Sequence, residues 1–188
     1  MKIIGKGVNN VKIGNVNKLV KTSLFLALAI VFQVLGKAEP QISQIFVGPA
    51  VNAILILTAI ICGGSYGILV GSLTPFLAYL TGQLASALGP FIPFIIIGNI
   101  LFVLSFIIIS KRGNYGKYLG IIIGAFIKYI FLSFSASKLI PIFNLNIPAK
   151  IVNKLILTMG IPQLITALIG GCIALILIRI LRKRKVYM

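Results

Sequence analysis

The chain has 188 residues, of which 59% are hydrophobic and only 10% charged. Soluble domains carry about a quarter charged residues, so this composition excludes an ordinary soluble domain and defines an integral membrane protein. Eighteen Lys and Arg stand against one acid, Glu39, with no His and a formal charge of +17. That inventory removes paired-carboxylate hydrolysis, His-based triads and His or carboxylate metal sites, and directs attention to binding rather than catalysis. A pI near 10.4 is the usual footprint of a phosphate binder. Here, however, the cations lie at the chain ends and between apolar runs, where membrane proteins place them to meet anionic headgroups and set orientation; no nucleic-acid partner is expected. Cys62 and Cys172 sit far apart inside apolar runs and read as small fillers facing lipid or core.

In chain order, residues 1–17 form a basic segment. The apolar run Thr22 to Leu35 follows without a small-x-small cleavage site, so it is read as a retained first span from about Leu19 to Leu35, with Lys18 and Lys21 snorkelling to the interface. Pro40 to Ser110 contains no charge. Divided at the Cys62-Gly63-Gly64-Ser65 turn and the Thr81-to-Pro90 loop, it holds three spans, near Phe46 to Ile61, Tyr66 to Leu80 and Phe91 to Ile109. After the polar hinge Lys111 to Lys117, a fifth span is expected from about Tyr118 to Leu139 and a sixth from Leu155 to Ile178. Pro141 to Lys154, with two prolines and three asparagines, is expected to be an ordered loop or short re-entrant piece. The expectation is an all-α membrane protein with a six-helix domain over 18–181 and a basic tail over 182–188. Placing both termini in the cytoplasm puts thirteen cations inside, against four outside (Lys37, Lys138, Lys150 and Lys154), which satisfies the positive-inside rule.

Lys128 is the one cation left within a span. Ten residues beyond Tyr118, roughly 15 Å along a helix, it reaches the midplane of a ~30 Å core. A lysine at that depth costs a few kcal/mol unless it meets an acceptor, a wet cavity or a ligand. With no carboxylate in the spans, the partners open to it are helix-end carbonyls, side-chain amides or a ligand oxygen; the plainer reading is a lysine stretching to one interface. Asn52, Asn99 and Gln163 lie at comparable depth. Asn99 and Gln163 suit ligand recognition and helix gluing equally, whereas Asn52 reads as glue. Pro75, Pro93 and Pro162 each remove a backbone donor and free carbonyls that something must satisfy. The Glu39-to-Gln44 connection and the Thr81-to-Gly89 loop are long enough to be lids. Tyr129, Phe131, Phe134 and Phe143 are ring-stacking candidates beside their ordinary role in packing. Ser23 and Ala27 form a small-xxx-small pair for close helix approach, and Gly67, Gly71, Gly170 and Gly171 offer the same internally.

From Lys18 to Lys185 the chain resembles the substrate-binding S components of energy-coupling-factor (ECF) vitamin transporters. The resemblance rests on the order and spacing of five stretches: Thr22 to Ala29, Gly63 to Gly71, Pro93 to Asn99, Gly124-Ala-Phe-Ile-Lys128-Tyr129, and Pro162-Gln163 to Gly170. It implies six membrane helices in a bacterial cytoplasmic membrane. It also implies capture of a vitamin or precursor from outside by the later helices and outer loops, and docking on a transmembrane coupling subunit driven by two ATPases. No cofactor and no enzymatic activity are implied. Carried over by position, Asn99, Lys128, Tyr129 and Gln163 fall on pocket-forming helices, with Glu39 and Gln44 on an outer loop. Ser23 and Ala27 occupy the place of the family's Ala-xxx-Ala docking motif, with Ser departing from Ala at the first position. The lack of an intramembrane acid argues against cationic thiamine and leaves a neutral or anionic compound, such as a flavin, a pyridoxine-like or pyrimidine compound, or pantothenate. The histidine-bearing N-terminus of metal-specific members is also missing. The alternatives are a stand-alone oligomeric carrier or pore formed through the small-residue faces, and a membrane enzyme using Lys128 as base or nucleophile.

Overall fold

The computed structural model describes residues 3–38, 40–113, 115–143, 145 and 147–184, with side chains described from residue 15 on and not for residues 38–44. The described residues form helices and connecting turns, with no strand. We number seven helices: α1 Ile3–Ala38, α2 Pro40–Ile61, α3 Gly64–Leu80, α4 Ile92–Ile109, α5 Gly116–Phe134, α6 Ala149–Met159 and α7 Ile161–Lys183. A 3₁₀ turn, Ser86–Phe91, leads into α4; a wider π turn, Ser135–Leu139, and a last helical turn, Ile140–Ile142, prolong α5. Four segments are long and apolar enough to cross a membrane: Asn15–Lys37, Ser86–Ile109, Gly116–Ile142 and Ile161–Lys183. Two more, Ile45–Ile61 and Gly64–Leu80, are apolar but shorter. The 17 residues of α3 reach roughly 25 Å at 1.5 Å per residue, the lower end of what spanning needs.

The helices are inside-out relative to those of a soluble bundle. On α5 the buried positions are Gly116, Gly120, Ile121, Gly124, Ala125, Lys128 and Leu132, while Ile122, Ile123, Phe126, Ile127 and Ile130 are exposed. On α7 the buried set is Thr166, Ala167, Gly170, Gly171, Ala174 and Ile178, and the large residues Ile165, Ile169, Ile173 and Ile176 face outward. Lipid tails are as apolar as leucine, so burial of large side chains drives no association in a bilayer. Small residues let backbones approach, and dispersion and interhelical hydrogen bonds hold them. The period of three and four that lines up Gly120, Gly124 and Lys128 therefore turns the lysine to the protein interior. Gly170 lies against α2, where an added Cβ would sit 2.5 Å from the Pro49 carbonyl oxygen; Gly67 lies against Ala59 and Val103. Gly71 lies against Asn99 and Gly171 against Ile121, so all four glycines expected to pack internally do so.

One core cluster joins Leu55, Ile56, Val70, Phe102, Val103, Ala125 and Ala167 across the middle of the bundle. A second, around Phe91, Leu132, Ile140, Leu155 and Met159, ties α6 to the ends of α4 and α5. Cys62 is buried and Cys172 exposed, as core and outward-facing fillers.

Two expectations are corrected. The sixth span does not begin at Leu155: the chain breaks at Gly160 (φ −80°, ψ −135°), so Leu155 belongs to α6 and the last long helix starts at Ile161. Pro162 is the cause, because its ring removes the N–H that would continue the ladder while suiting the first turn of a new helix. In consequence Pro141–Lys154 is not wholly loop, since its last six residues open α6. The α6 helix buries Leu155 and Met159 and exposes Lys150, Lys154 and Leu157.

Candidate functional site

Pro75 starts the chain of contacts that builds the site. Proline has no backbone N–H, so the carbonyl four residues earlier, that of Gly71, loses its donor inside α3. Gly71 also has no side chain, and α4 comes close enough that an added Cβ would lie 3.3 Å from Asn99 Cβ. The Asn99 amide fills the vacancy: its Nδ2 donates to Gly71 O at 3.0 Å. A carbonyl only accepts, so this bond fixes which end of the amide faces α3 and turns Oδ1 the other way. Lys128 Nζ then donates to Asn99 Oδ1 at 2.8 Å and to Asn52 Oδ1 at 2.7 Å. The Phe102 ring lies 5.6 Å from the same nitrogen. Three helices, α2, α4 and α5, thus meet at one lysine that is 4% exposed. Its partners come from the amide class expected, and the reading in which it stretches to an interface is set aside. Asn52 does glue helices, through Lys128, but it also faces the cavity described next.

Beside this lysine is a cavity of about 540 Å³, within the usual range for a small-molecule site. Asn52, Asn99 and Lys128 border it together with Gln33, Gly36 and Lys37 of α1, Thr74, Pro75 and Ala78 of α3, and Gln163 and Thr166 of α7. Gly82, Gln83, Leu84, Ala85 and Leu88 of the α3–α4 loop border it too, as do Lys154, Leu155, Thr158 and Met159 of α6. Gly82 holds a left-handed φ of 73°, and Lys37 Nζ donates to the neighbouring Thr81 carbonyl at 3.1 Å, tying the end of α1 to that loop. The chain's one acid, Glu39, lies outside the described residues, so every described lining residue is neutral or basic.

Of the residues singled out in the sequence, the structure brings Asn99, Lys128 and Gln163 to one cavity, with Gln163 Nε2 placed 3.6 Å from Met159 Sδ. Tyr129 is half-buried one position beyond Lys128, about 100° around the helix, and is not part of the lining. Phe134 and Phe143 are exposed, and Phe143 meets Phe94 at 6.3 Å between centroids rather than the cavity. Gln44, expected on an outer loop, lies instead in α2, which begins at Pro40; its side chain, like Glu39, falls outside what is described. Ser23 and Ala27 are exposed on α1, opposite the buried line Thr22, Ala29, Gln33 and Gly36; the Ser23 hydroxyl donates to Leu19 O at 3.1 Å. Sequence reading missed Gln33, Thr74, Lys37 and Lys154. The signal for Gln33 was available: it is a lone amide in the first apolar run, four residues after the inward Ala29 and three before the inward Gly36.

A helical, multi-pass membrane chain that encloses a polar-floored cavity is the architecture of a small-molecule binding or transport component. The family model for the ECF transporter, substrate-specific component, matches residues 17–182, and the chain belongs to that family. The family is one of transporter components and not of enzymes. No curated protein and no solved structure matches the chain significantly.

Proposed function

We propose that the chain is the substrate-capture subunit of an ECF-type importer, taking a vitamin or vitamin precursor from the extracellular side of a bacterial cytoplasmic membrane. It crosses the membrane six times, with residues 1–17 and 182–188 in the cytoplasm, and docks on a transmembrane coupling subunit powered by two ATPases. The observation that carries this reading is the cavity of about 540 Å³ with Lys128, Asn52 and Asn99 at its floor. A polar triad at mid-membrane costs free energy that a purely structural bundle avoids, and intramembrane ionisable groups mark substrate sites. The thirteen-to-four distribution of cations supports placing the cavity end of the bundle, with Lys37 and Lys154, on the outside. The substrate is neutral or anionic, because the floor offers a lysine and no carboxylate. Asn99, Lys128 and Gln163 contact it.

Docking uses Ser23 and Ala27, whose small side chains on the outer face of α1 leave room for a partner helix. Replacing Ala27 by Phe is expected to reduce ATP-dependent uptake at least tenfold in proteoliposomes holding this chain, a coupling subunit and the ATPases, while substrate affinity stays within about twofold. Unchanged uptake would remove the docking assignment. Flux through this chain alone, without ATPases, would favour the oligomeric carrier or pore.

A further inference from the structure

Gln33 is 3% exposed, projects from α1 to the cavity, and its amide is half used. Nε2 donates to the Thr74 carbonyl oxygen at 3.0 Å, which fixes the orientation, because turning the amide over would set oxygen against oxygen. Oε1, on the other side, is buried and without a hydrogen-bond partner. Nearly all buried acceptors in folded proteins are satisfied, and one left orphaned costs free energy that replacing Gln by an apolar residue of the same length would recover. Across the same cavity the pattern is complementary. When protonated, Lys128 Nζ has three hydrogens and gives two of them to Asn52 and Asn99. Gln33, at the border of the cavity, therefore holds a buried acceptor awaiting a donor, and Lys128, when protonated, is a donor with capacity to spare.

We infer that Gln33 is a specificity-determining residue that accepts a hydrogen bond from an N–H or O–H group of the substrate, while Lys128 donates to a carbonyl or carboxylate oxygen of the same molecule. The substrate class is accordingly a small amide, imide or hydroxy compound with an oxygen acceptor at a second point. A compound whose donors are blocked leaves Oε1 orphaned and is rejected, the way sites built around a buried polar group reject analogues that cannot pair with it. This rests on the substrate-capture reading above.

The test uses the full chain in detergent or nanodiscs, with riboflavin and pantothenate as probes. Beside them go their analogues methylated at the flavin imide nitrogen or at the pantothenate amide nitrogen, pantothenamide to separate carboxylate from carbonyl, and thiamine as a cationic control. At least one parent probe is expected to bind, and its methylated analogue at least tenfold more weakly. Gln33→Met is expected to weaken the parent probe at least tenfold, to abolish discrimination against the methylated form, and to leave the melting temperature without ligand unchanged or raised. Equal affinity of parent and methylated probe for the unmutated protein would overturn the inference, whether or not Gln33→Met folds. So would a large loss of stability in Gln33→Met with discrimination retained, since Gln33 would then be a brace to Thr74. Failure of every probe, thiamine apart, to bind the unmutated chain would instead strike the substrate-capture reading, and the inference would fall with it.

Discussion

Replacing Lys128 by methionine is expected to weaken substrate binding at least 100-fold while the protein still folds and inserts. A hydrogen bond from a charged donor is worth about 1.5–3 kcal/mol, and each 1.4 kcal/mol is a factor of ten in affinity. Losing the ligand bond accounts for about tenfold or more. The rest comes from Asn52, whose oxygen rests on Lys128 Nζ and loses its orientation with it, and from Asn99, which Gly71 still holds but whose oxygen is left without its donor. Methionine matches the length of the aliphatic stem and packs under Phe102 without a buried charge, so loss of binding can be read apart from misfolding. Binding of the vitamin panel by thermal shift or calorimetry measures the effect. Unchanged affinity together with reduced stability would make Lys128 a bridge between helices and nothing more.

Replacing Gly170 by valine is expected to be the most damaging single change to the fold. The first added carbon would meet the Pro49 carbonyl oxygen at 2.5 Å, Asn52 Cβ at 2.7 Å and the Ala53 amide nitrogen at 2.9 Å. Two of these are backbone atoms of α2, which no side-chain rotation relieves, so α7 must move away from α2. Overpacking a well-filled core costs typically 1–3 kcal/mol, and a clash against backbone belongs at or above the top of that range. A fall of roughly 10 °C in melting temperature follows for a chain of this size. Asn52 moves with α2, so affinity falls as well. A valine variant with unaltered melting temperature would show that α2 and α7 are not packed as described.

Much of this arrangement was readable from residue order, for identifiable reasons. The spans follow from hydrocarbon thickness and from the lack of charge between Pro40 and Ser110. Lys128 stood out because a lysine at mid-span has few tolerable surroundings. Its inward direction is also written in the sequence, in the Gly120, Gly124, Lys128 series. Asn52 reads as helix glue and is bonded as such, but it also borders the cavity, which the sequence does not show because the partner it binds is 76 residues away on another helix. Gln33 and Thr74 were missed for the same reason, since neither is unusual until α1 and α3 are side by side. The break at Gly160 was hidden by apolar residues running through it, and only the Gly160-Ile161-Pro162 triplet marked it. The Pro75 effect lies between these extremes. That some carbonyl would be freed was clear from the sequence; that Asn99 takes the Gly71 carbonyl, and so aims its oxygen at Lys128, required the fold.

The central claim is that the cavity beside Lys128 holds a small nutrient molecule. Native mass spectrometry of the full chain, purified from cell membranes in mild detergent, tests it most directly. The expected result is one neutral or anionic organic compound bound at one per chain and lost in Lys128→Met. A chain that carries no small molecule as purified, and takes up none from a vitamin panel, would contradict it.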